Sequence, residues 1–311
     1  MPFTRRSEFL WQLRTRSLAL GAKTLVMGVL NVTPDSFSDG GLYHSAQEAI
    51  EHGLRMLDEG ADILDIGGES TRPGQQHVVS ADEEQERVLP VMQAVLRARP
   101  EAVISIDTYK ASTARAAVDA GAEIVNDVSG FLWDEEMAAT CASLRCGVVL
   151  MHTRGKPDEW RALPKLGPEE VLPLVKRELE DRLQAALRAG VSREHIVLDP
   201  GYGFGKRFEE NYPLFAGQAE LRKLGQPLLA GVSRKSFLAR TLAPLFGGAD
   251  APMEKRLHAT IAATTAAILA GADIVRVHDV RPAVEAARIA DVLLNSRISR
   301  TTPGWEGVLS L

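Results

Sequence analysis

Cysteine is nearly absent from this chain: Cys141 and Cys146 are the only two in 311 residues. They form no Cys-x-x-Cys pair and no His/Cys cluster surrounds them, so neither a disulfide framework nor a zinc site is written in the sequence. Reduced thiols packed inside a cytoplasmic protein are the expectation. Bulk positive charge is lacking too. The formal net charge is −5, which offers nucleic acid no electrostatic footing. No apolar run reaches membrane-spanning length. Arg5-Arg6 followed by Phe9-Leu10 faintly resembles a twin-arginine export signal, but Arg14, Arg16 and Lys23 interrupt the apolar core such a signal needs. Residues 1–23 are instead expected to form a short hairpin or cap. Linkers and low-complexity stretches are missing as well. A single domain over 1–311 is expected, large enough to fold without staples.

What the chain does have is alternation. Eight short, nearly continuous apolar runs read as strands buried on both faces: Leu25–Asn31, Ile63–Gly67, Val103–Thr108, Ile124–Val128, Gly147–His152, Ile196–Asp199, Leu228–Val232 and Ile274–Val277. Amphipathic stripes lie between them, such as Ile50, Leu54, Leu57 and Ala61, or Val171, Val175, Leu179, Leu183 and Leu187. Gly60-Ala61-Asp62-Ile63, Gly121-Ala122-Glu123-Ile124 and Gly271-Ala272-Asp273-Ile274 repeat one device, with Gly190-Val191 as a weaker fourth copy. In each, glycine suits the left-handed residue that ends a helix, and a strand follows. Eight such βα units favour a closed α/β barrel over an open doubly wound sheet. The G-x-G-x-x-G fingerprint of the open sheet is also absent after the first strand. The fold class expected is a single (β/α)8 TIM barrel.

In such a barrel the active site lies at the carboxyl ends of the strands. Every one of those ends is polar here: Asn31, Gly67-Gly68-Glu69-Ser70-Thr71-Arg72, Asp107-Thr108, Asn126-Asp127, Met151-His152, Asp199 through Lys206, Ser233 through Ser236, and Arg276 through Asp279. Singly, most have plain explanations. Asp199-Pro200-Gly201 could be only a turn, and Asn126-Asp127 could cap a helix. Asp107 or Thr108 could do the same, and His152 could be a packing residue. Ser45 and Ser80 read as caps, and Glu83, Glu84 and Glu86 as a solvated face. Eight together are harder to dismiss, because buried polar groups cost free energy unless partnered. The cations Arg72, Lys235, Arg276 and His278 form one set, suited to phosphate. Ser236, opening a helix, adds backbone N–H groups and dipole. Asn31 adds a neutral oxygen that fits Mg²⁺ carried by substrate phosphates. Asp107, Asn126 and Asp199 form a second set, acceptors on the other side of the ring, suited to a flat heterocycle rich in N–H donors.

The run Met27 through Gly41 and the run Gly67 through Gly74 resemble the two long signatures of the dihydropteroate synthase family. Asp199-Pro200-Gly201 through Lys206, Ser233–Ser236 and Arg276–Asp279 are similar to its later motifs, and the likeness runs from about Leu13 to about Val292. The resemblance implies that a dihydropterin bearing CH2–pyrophosphate condenses with p-aminobenzoate, giving dihydropteroate and pyrophosphate. By position, Asp107, Asn126, Met151, Asp199, Phe204 and Lys235 would hold the pterin. Asn31, with Mg²⁺, and Thr71, Arg72, Arg276 and His278 would hold the pyrophosphate. Phe37, Pro73, Lys235 and Ser236 would shape the p-aminobenzoate pocket. Asp39 would help close the site, and Asp39, Arg72, Asp107 and Lys235 would carry catalysis. The resemblance also suggests a homodimer, with small molecules as the only other partners.

No base for the weakly nucleophilic amine is evident, so a loose mechanism is implied: pyrophosphate leaves first and the pterin-methylene cation is trapped. Three rivals share parts of this pattern. A pterin-binding methyltransferase domain serving a corrinoid would share Asp107, Asn126 and Asp199, but needs no leaving-group clamp and no long Asn31–Gly41 loop. A Schiff-base aldolase would use Lys235, although Arg234 and Ser236 beside it suit anion handling. A non-catalytic pterin-binding paralogue should have lost Asp39, Arg72 or Lys235, and all are present.

Overall fold

The structure, a computed structural model, describes residues 5–33, 41–69 and 79–296. The expected N-terminal hairpin is β1 (Phe9–Gln12) and β2 (Ser17–Leu20), paired antiparallel with Phe9 opposite Leu20. Eight parallel strands follow: β3 (Leu25–Asn31), β4 (Ile63–Gly67), β5 (Ile104–Asp107), β6 (Ile124–Asp127), β7 (Gly147–Met151), β8 (Ile196–Asp199), β9 (Leu229–Ala230) and β10 (Ile274–Val277). Their order is β8-β7-β6-β5-β4-β3-β10-β9. A bridge between Leu198 and Leu228 joins the two ends of that order and closes the barrel. Helices α1 (Gly41–Asp58), α2 (Ala81–Ala98), α3 (Ala111–Asp119), α4 (Met137–Leu144), α5 (Pro168–Arg188), α6 (Asn211–Ala216), α7 (Ser236–Thr241), α8 (Leu257–Leu269) and α9 (Val280–Asn295) occupy the intervals.

Four strands are shorter than their apolar runs. Val103, Thr108, Val128 and His152 fall just outside the ladder, and β9 keeps only two residues. The chain leaves β9 at Gly231 to make a turn closed by Lys235 N–H on Val232 O at 3.5 Å. The glycine repeat works as its sequence implies. Gly60, Gly121, Gly190 and Gly271 have φ between 97° and 114°. Each donates its N–H three residues back, while the next residue donates five back, as in Gly60 to Leu57 O and Ala61 to Met56 O. That pair of bonds satisfies carbonyls at the helix end and aims the chain into the next strand.

Alternation along the strands divides the apolar side chains into two cores. Val26, Leu30, Leu64, Ile66, Ile104 and Ile106 face outward and pack under the helices. Leu25, Met27, Ile63, Val103, Ile124, Val149, Val197, Leu229 and Ile274 face inward and fill the bottom of the barrel. The hairpin plugs that end: Trp11, Leu13 and Leu20 join the inner cluster, and the Trp11 indole donates to His195 O at 2.7 Å. Above this floor the inner positions turn polar, with Asp65, Ser105 and Asn126 buried. Cys141 and Cys146 are free thiols in the outer core.

Trp11 is 1% exposed, so Trp11→Ala should cost about 3–5 kcal/mol of stability in urea unfolding. A loss below about 1 kcal/mol would mean that the hairpin does not seal the barrel.

Candidate active site

The carboxyl end of the barrel opens into a cavity of about 390 Å³. Of the residues singled out from sequence, Asn31, Asp107, Phe204, Lys235, Ser236, Arg276 and His278 line it. Asn126, Met151 and Asp199 sit on the inner wall of β6, β7 and β8, each 4% exposed. Phe37, Asp39, Thr71, Arg72 and Pro73 lie outside the described residues.

Asp107 and Arg276 do not sit on opposite sides of the ring, as sequence reasoning had placed them. Arg276 Nη2 donates to Asp107 Oδ2 at 2.5 Å, and Nε donates to Asp65 Oδ2 at 2.6 Å. Asn126 Nδ2 donates to the same Asp65 oxygen at 2.9 Å. One carboxylate therefore ties β10 to β4 and β6 across the barrel interior. Asp65 was not anticipated. Its signal was there, as the one ionisable residue in the run Ile63-Leu64-Asp65-Ile66-Gly67.

The β8 end is a turn that also presents Phe204 to the cavity. Asp199 Oδ1 accepts the Gly201 N–H at 2.7 Å, which makes the suspected turn. Gly201 has φ 64°, and a Cβ there would lie 1.9 Å from His152 O, so no other residue fits. The Lys206 ammonium caps three carbonyls, Gly201 O at 2.8 Å, Phe204 O at 3.1 Å and His152 O at 3.3 Å. It fixes the loop that presents Phe204, a structural part that sequence reasoning missed. Lys235 Nζ stands 4.0 Å from the Phe204 ring centroid, and Trp160 packs edge-on against the same ring at 5.5 Å. Trp160 also lines the cavity, although nothing in its local sequence marks it.

Other polar strand ends have the plainer roles. His152 is fully buried, with Nε2 3.0 Å from Glu178 Oε2. Asp127, rather than Asn126, holds the turn after β6 by accepting from Ser129 and Phe131 N–H. Thr108 accepts the Lys110 N–H, and Ser80 caps α2.

The pattern of pterin binding enzymes matches residues 27–278. Dihydropteroate synthase of Bacillus subtilis (strain 168) is 43% identical over 279 residues, spanning 90% of this chain and 92% of that protein. The Escherichia coli (strain K12) enzyme of the same name is 40% identical over 274 residues, 88% and 92% of the two chains. This chain belongs to the dihydropteroate synthase family. The barrel agrees with the family's solved structures. The Clostridium difficile synthase crystallised in the presence of pteroic acid is 42% identical and superposes with a TM-score of 0.80, over 89% of this chain and 99% of that one. The Xanthomonas albilineans synthase with 4-aminobenzoic acid is 39% identical with a TM-score of 0.83, over 94% and 100%.

Burial sets the charges of this candidate site. Burial raises the Asp107 pKa to about 7; Arg276 opposes that rise, and Asp65, Glu84 and Asp127 add to it. Burial also raises Asp199, against the Gly201 N–H and Lys235. Lys235 is lowered to about 8 by burial and by Arg276, with Asp199 and Asp107 pulling back. Burial works against the charge of Arg276 as well, but Asp65 and Asp107 override it and raise its pKa. His278 is not the cation that its position suggested: burial, with Arg276, Arg234 and Lys235 nearby, lowers it to about 3. Ser233 Oγ accepts the His278 backbone N–H at 3.2 Å and lies 3.0 Å from Nδ1. The hydroxyl pairs with Nδ1 of the neutral ring, as donor or acceptor according to the ring's tautomer.

Titration of His278 by NMR should show a neutral ring from pH 8 down to pH 5, given the lowering to about 3. A midpoint near 6.5, the ordinary histidine value, would contradict the buried neutral ring.

Proposed function

We propose that this chain condenses a 6-hydroxymethyl-dihydropterin pyrophosphate with p-aminobenzoate, releasing pyrophosphate and 7,8-dihydropteroate. The observation that carries the residue assignment is a cavity lined by Asp107, Arg276 and a lysine over an aromatic ring, with the buried acceptors Asn126 and Asp199 on β6 and β8 of the barrel's inner wall. Asn126 and Asp199 accept from the amino-pyrimidine edge of the pterin, and the flat ring lies near Met151, Phe204 and Lys235. Arg276 keeps Nη1 unbonded among the described residues, so it can still meet the departing pyrophosphate, although two carboxylates hold its other nitrogens. His278 serves there as a neutral imidazole. Thr71 and Arg72, which follow β4 in sequence, complete the grip. Ser236, at the start of α7, takes the p-aminobenzoate carboxylate, with Lys235, Phe37 and Pro73 around the ring. Asp39, which follows β3 in sequence, completes the site.

Catalysis is by departure of pyrophosphate and trapping of the pterin-methylene cation, so positioning and charge stabilisation do the work. An ionised Asp107 faces the developing positive charge. A protonated Lys235 disfavours imine chemistry and suits a role as a hydrogen-bond donor; its pKa of about 8 leaves it largely protonated at neutral pH.

Mg²⁺ is proposed at Asn31. Among the described residues no group of three or more His, Cys, Asp or Glu could hold a metal. An ion carried in by two phosphates needs only one or two protein oxygens, and Asn31 lines the cavity beside an uncharged His278. When bound, the ion would neutralise charge on the leaving group. We further propose one domain over residues 1–311, working in the cytoplasm as a homodimer. No described helix is long and apolar enough to cross a membrane. The α9 helix exposes Ile289, Val292 and Leu293 on one face, which favours self-association. Sedimentation as a monomer at micromolar concentration would rule that dimer out.

Dihydropteroate should form only when both substrates are supplied; chromatography of the products checks this, and release of pyrophosphate with no pteroate formed would refute the synthase reading. Lys235→Ala and Arg72→Ala should each lower kcat/KM by about 10²–10³-fold. Near-normal turnover in either removes that residue from the machinery. The rate should rise through about pH 7 as Asp107 ionises and fall above about pH 8 as Lys235 loses its proton. Asp107→Asn should abolish the acid limb; an acid limb that persists assigns it to another group.

A further inference from the structure

Asp65 lies below the cavity and does not line it. It is the third residue of β4, fully buried, with Val29 and Ser105 as its neighbours across the sheet. Its Oδ2 takes two hydrogen bonds, from Arg276 Nε at 2.6 Å and from Asn126 Nδ2 at 2.9 Å. These donors come from β10 and β6, which stand on either side of β4 with one strand between in each direction.

The chemistry of that oxygen decides which way Asn126 turns. A carboxylate paired with a guanidinium only accepts, so the Asn126 amide must direct its NH2 group to Asp65. Its carbonyl Oδ1 is then the atom left for a ligand, and no described residue donates to it. An unconstrained asparagine could present either end. Held this way, it offers only an acceptor, which welcomes a ring N–H or exocyclic amine and rejects a ring carbonyl. Arg276 is fixed by the same oxygen. With Nε on Asp65 and Nη2 on Asp107, its plane is set and Nη1 is left over.

We infer that Asp65 is a positioning residue for the pterin: by holding Asn126 Nδ2 and Arg276 Nε on one oxygen, it makes Asn126 a pure acceptor and so fixes which edge of the heterocycle binds. This rests on the function proposed above. A wrongly turned amide puts a donor against a ring donor and leaves both unpaired, which costs about 10- to 100-fold in affinity.

Asp65→Asn keeps the shape of the side chain, but its amide can accept from or donate to Asn126, so the orientation is no longer dictated. Calorimetry with 6-hydroxymethylpterin, a probe lacking the leaving group, should show Kd raised about 10- to 100-fold. The KM for p-aminobenzoate should stay within about twofold, since that ring is assigned to Ser236 and Lys235 rather than to Asn126. Adding Asn126→Asp to the variant should recover most of the pterin affinity, because residue 126 then presents acceptors whichever way it turns. Pterin affinity unchanged in Asp65→Asn, a parallel rise in both constants, or no recovery in the double variant each overturns the role. If Asp65→Asn does not fold, a crystal structure of the unaltered chain with 6-hydroxymethylpterin decides: Asn126 Oδ1 must receive a ring N–H, and contact through Nδ2 overturns the inference. Failure of the unaltered chain to bind the pterin overturns the proposed function and this role with it, whereas binding indifferent to Asp65→Asn overturns only the role.

Discussion

A guanidinium enclosed by a barrel must be met by carboxylates, and Arg276 is met by two, Asp65 from below and Asp107 at the rim. Removing a charge from water costs several kcal/mol unless geometry and hydrogen bonds offset it. The remaining polar groups of the site are arranged around that requirement. Asp65 is fully buried because Arg276 needs it. Asn126 turns its amide toward the same oxygen. Asp107 is drawn to the guanidinium although burial alone would protonate it.

The positive field of Arg276 reaches the other groups at the mouth. It keeps His278 neutral, together with burial, and helps to lower the Lys235 ammonium. Around Arg276, a permanent cation, the site thus places a lysine near its titration point and an uncharged imidazole. Such a graded set suits a leaving group that gains negative charge next to a ring that loses it. Uniformly strong cations would hold the pyrophosphate as tightly in the ground state as in the transition state, which lowers KM without raising kcat.

The scaffold makes this arrangement affordable by separating its two cores. Outward residues of the strands anchor the helices, while inward ones fill only the lower barrel, sealed by Trp11 and Leu13 of the hairpin. The upper interior is left to polar side chains whose backbones are held rigidly by the ladder. Loops need fixing separately, and Lys206 does so after β8 by meeting three carbonyls at once.

Local sequence determined the barrel and the ring of polar strand ends. Buried strands need continuous apolar runs, and a helix that ends in a left-handed residue needs glycine, so both leave marks within a few residues. The turn at Asp199-Pro200-Gly201 and the cap at Ser80 were legible for the same reason. Tertiary structure alone decided who pairs with whom. Asp65 and Arg276 are 211 residues apart in sequence and meet only because the sheet closes and both side chains point inward. His278 reads as a cation from its position, but its charge depends on burial and on guanidinium groups brought from elsewhere. Trp160 reaches the cavity from a stretch with no distinguishing pattern. Periodicity is a property of neighbours along the chain, whereas charge state and pairing belong to neighbours in space.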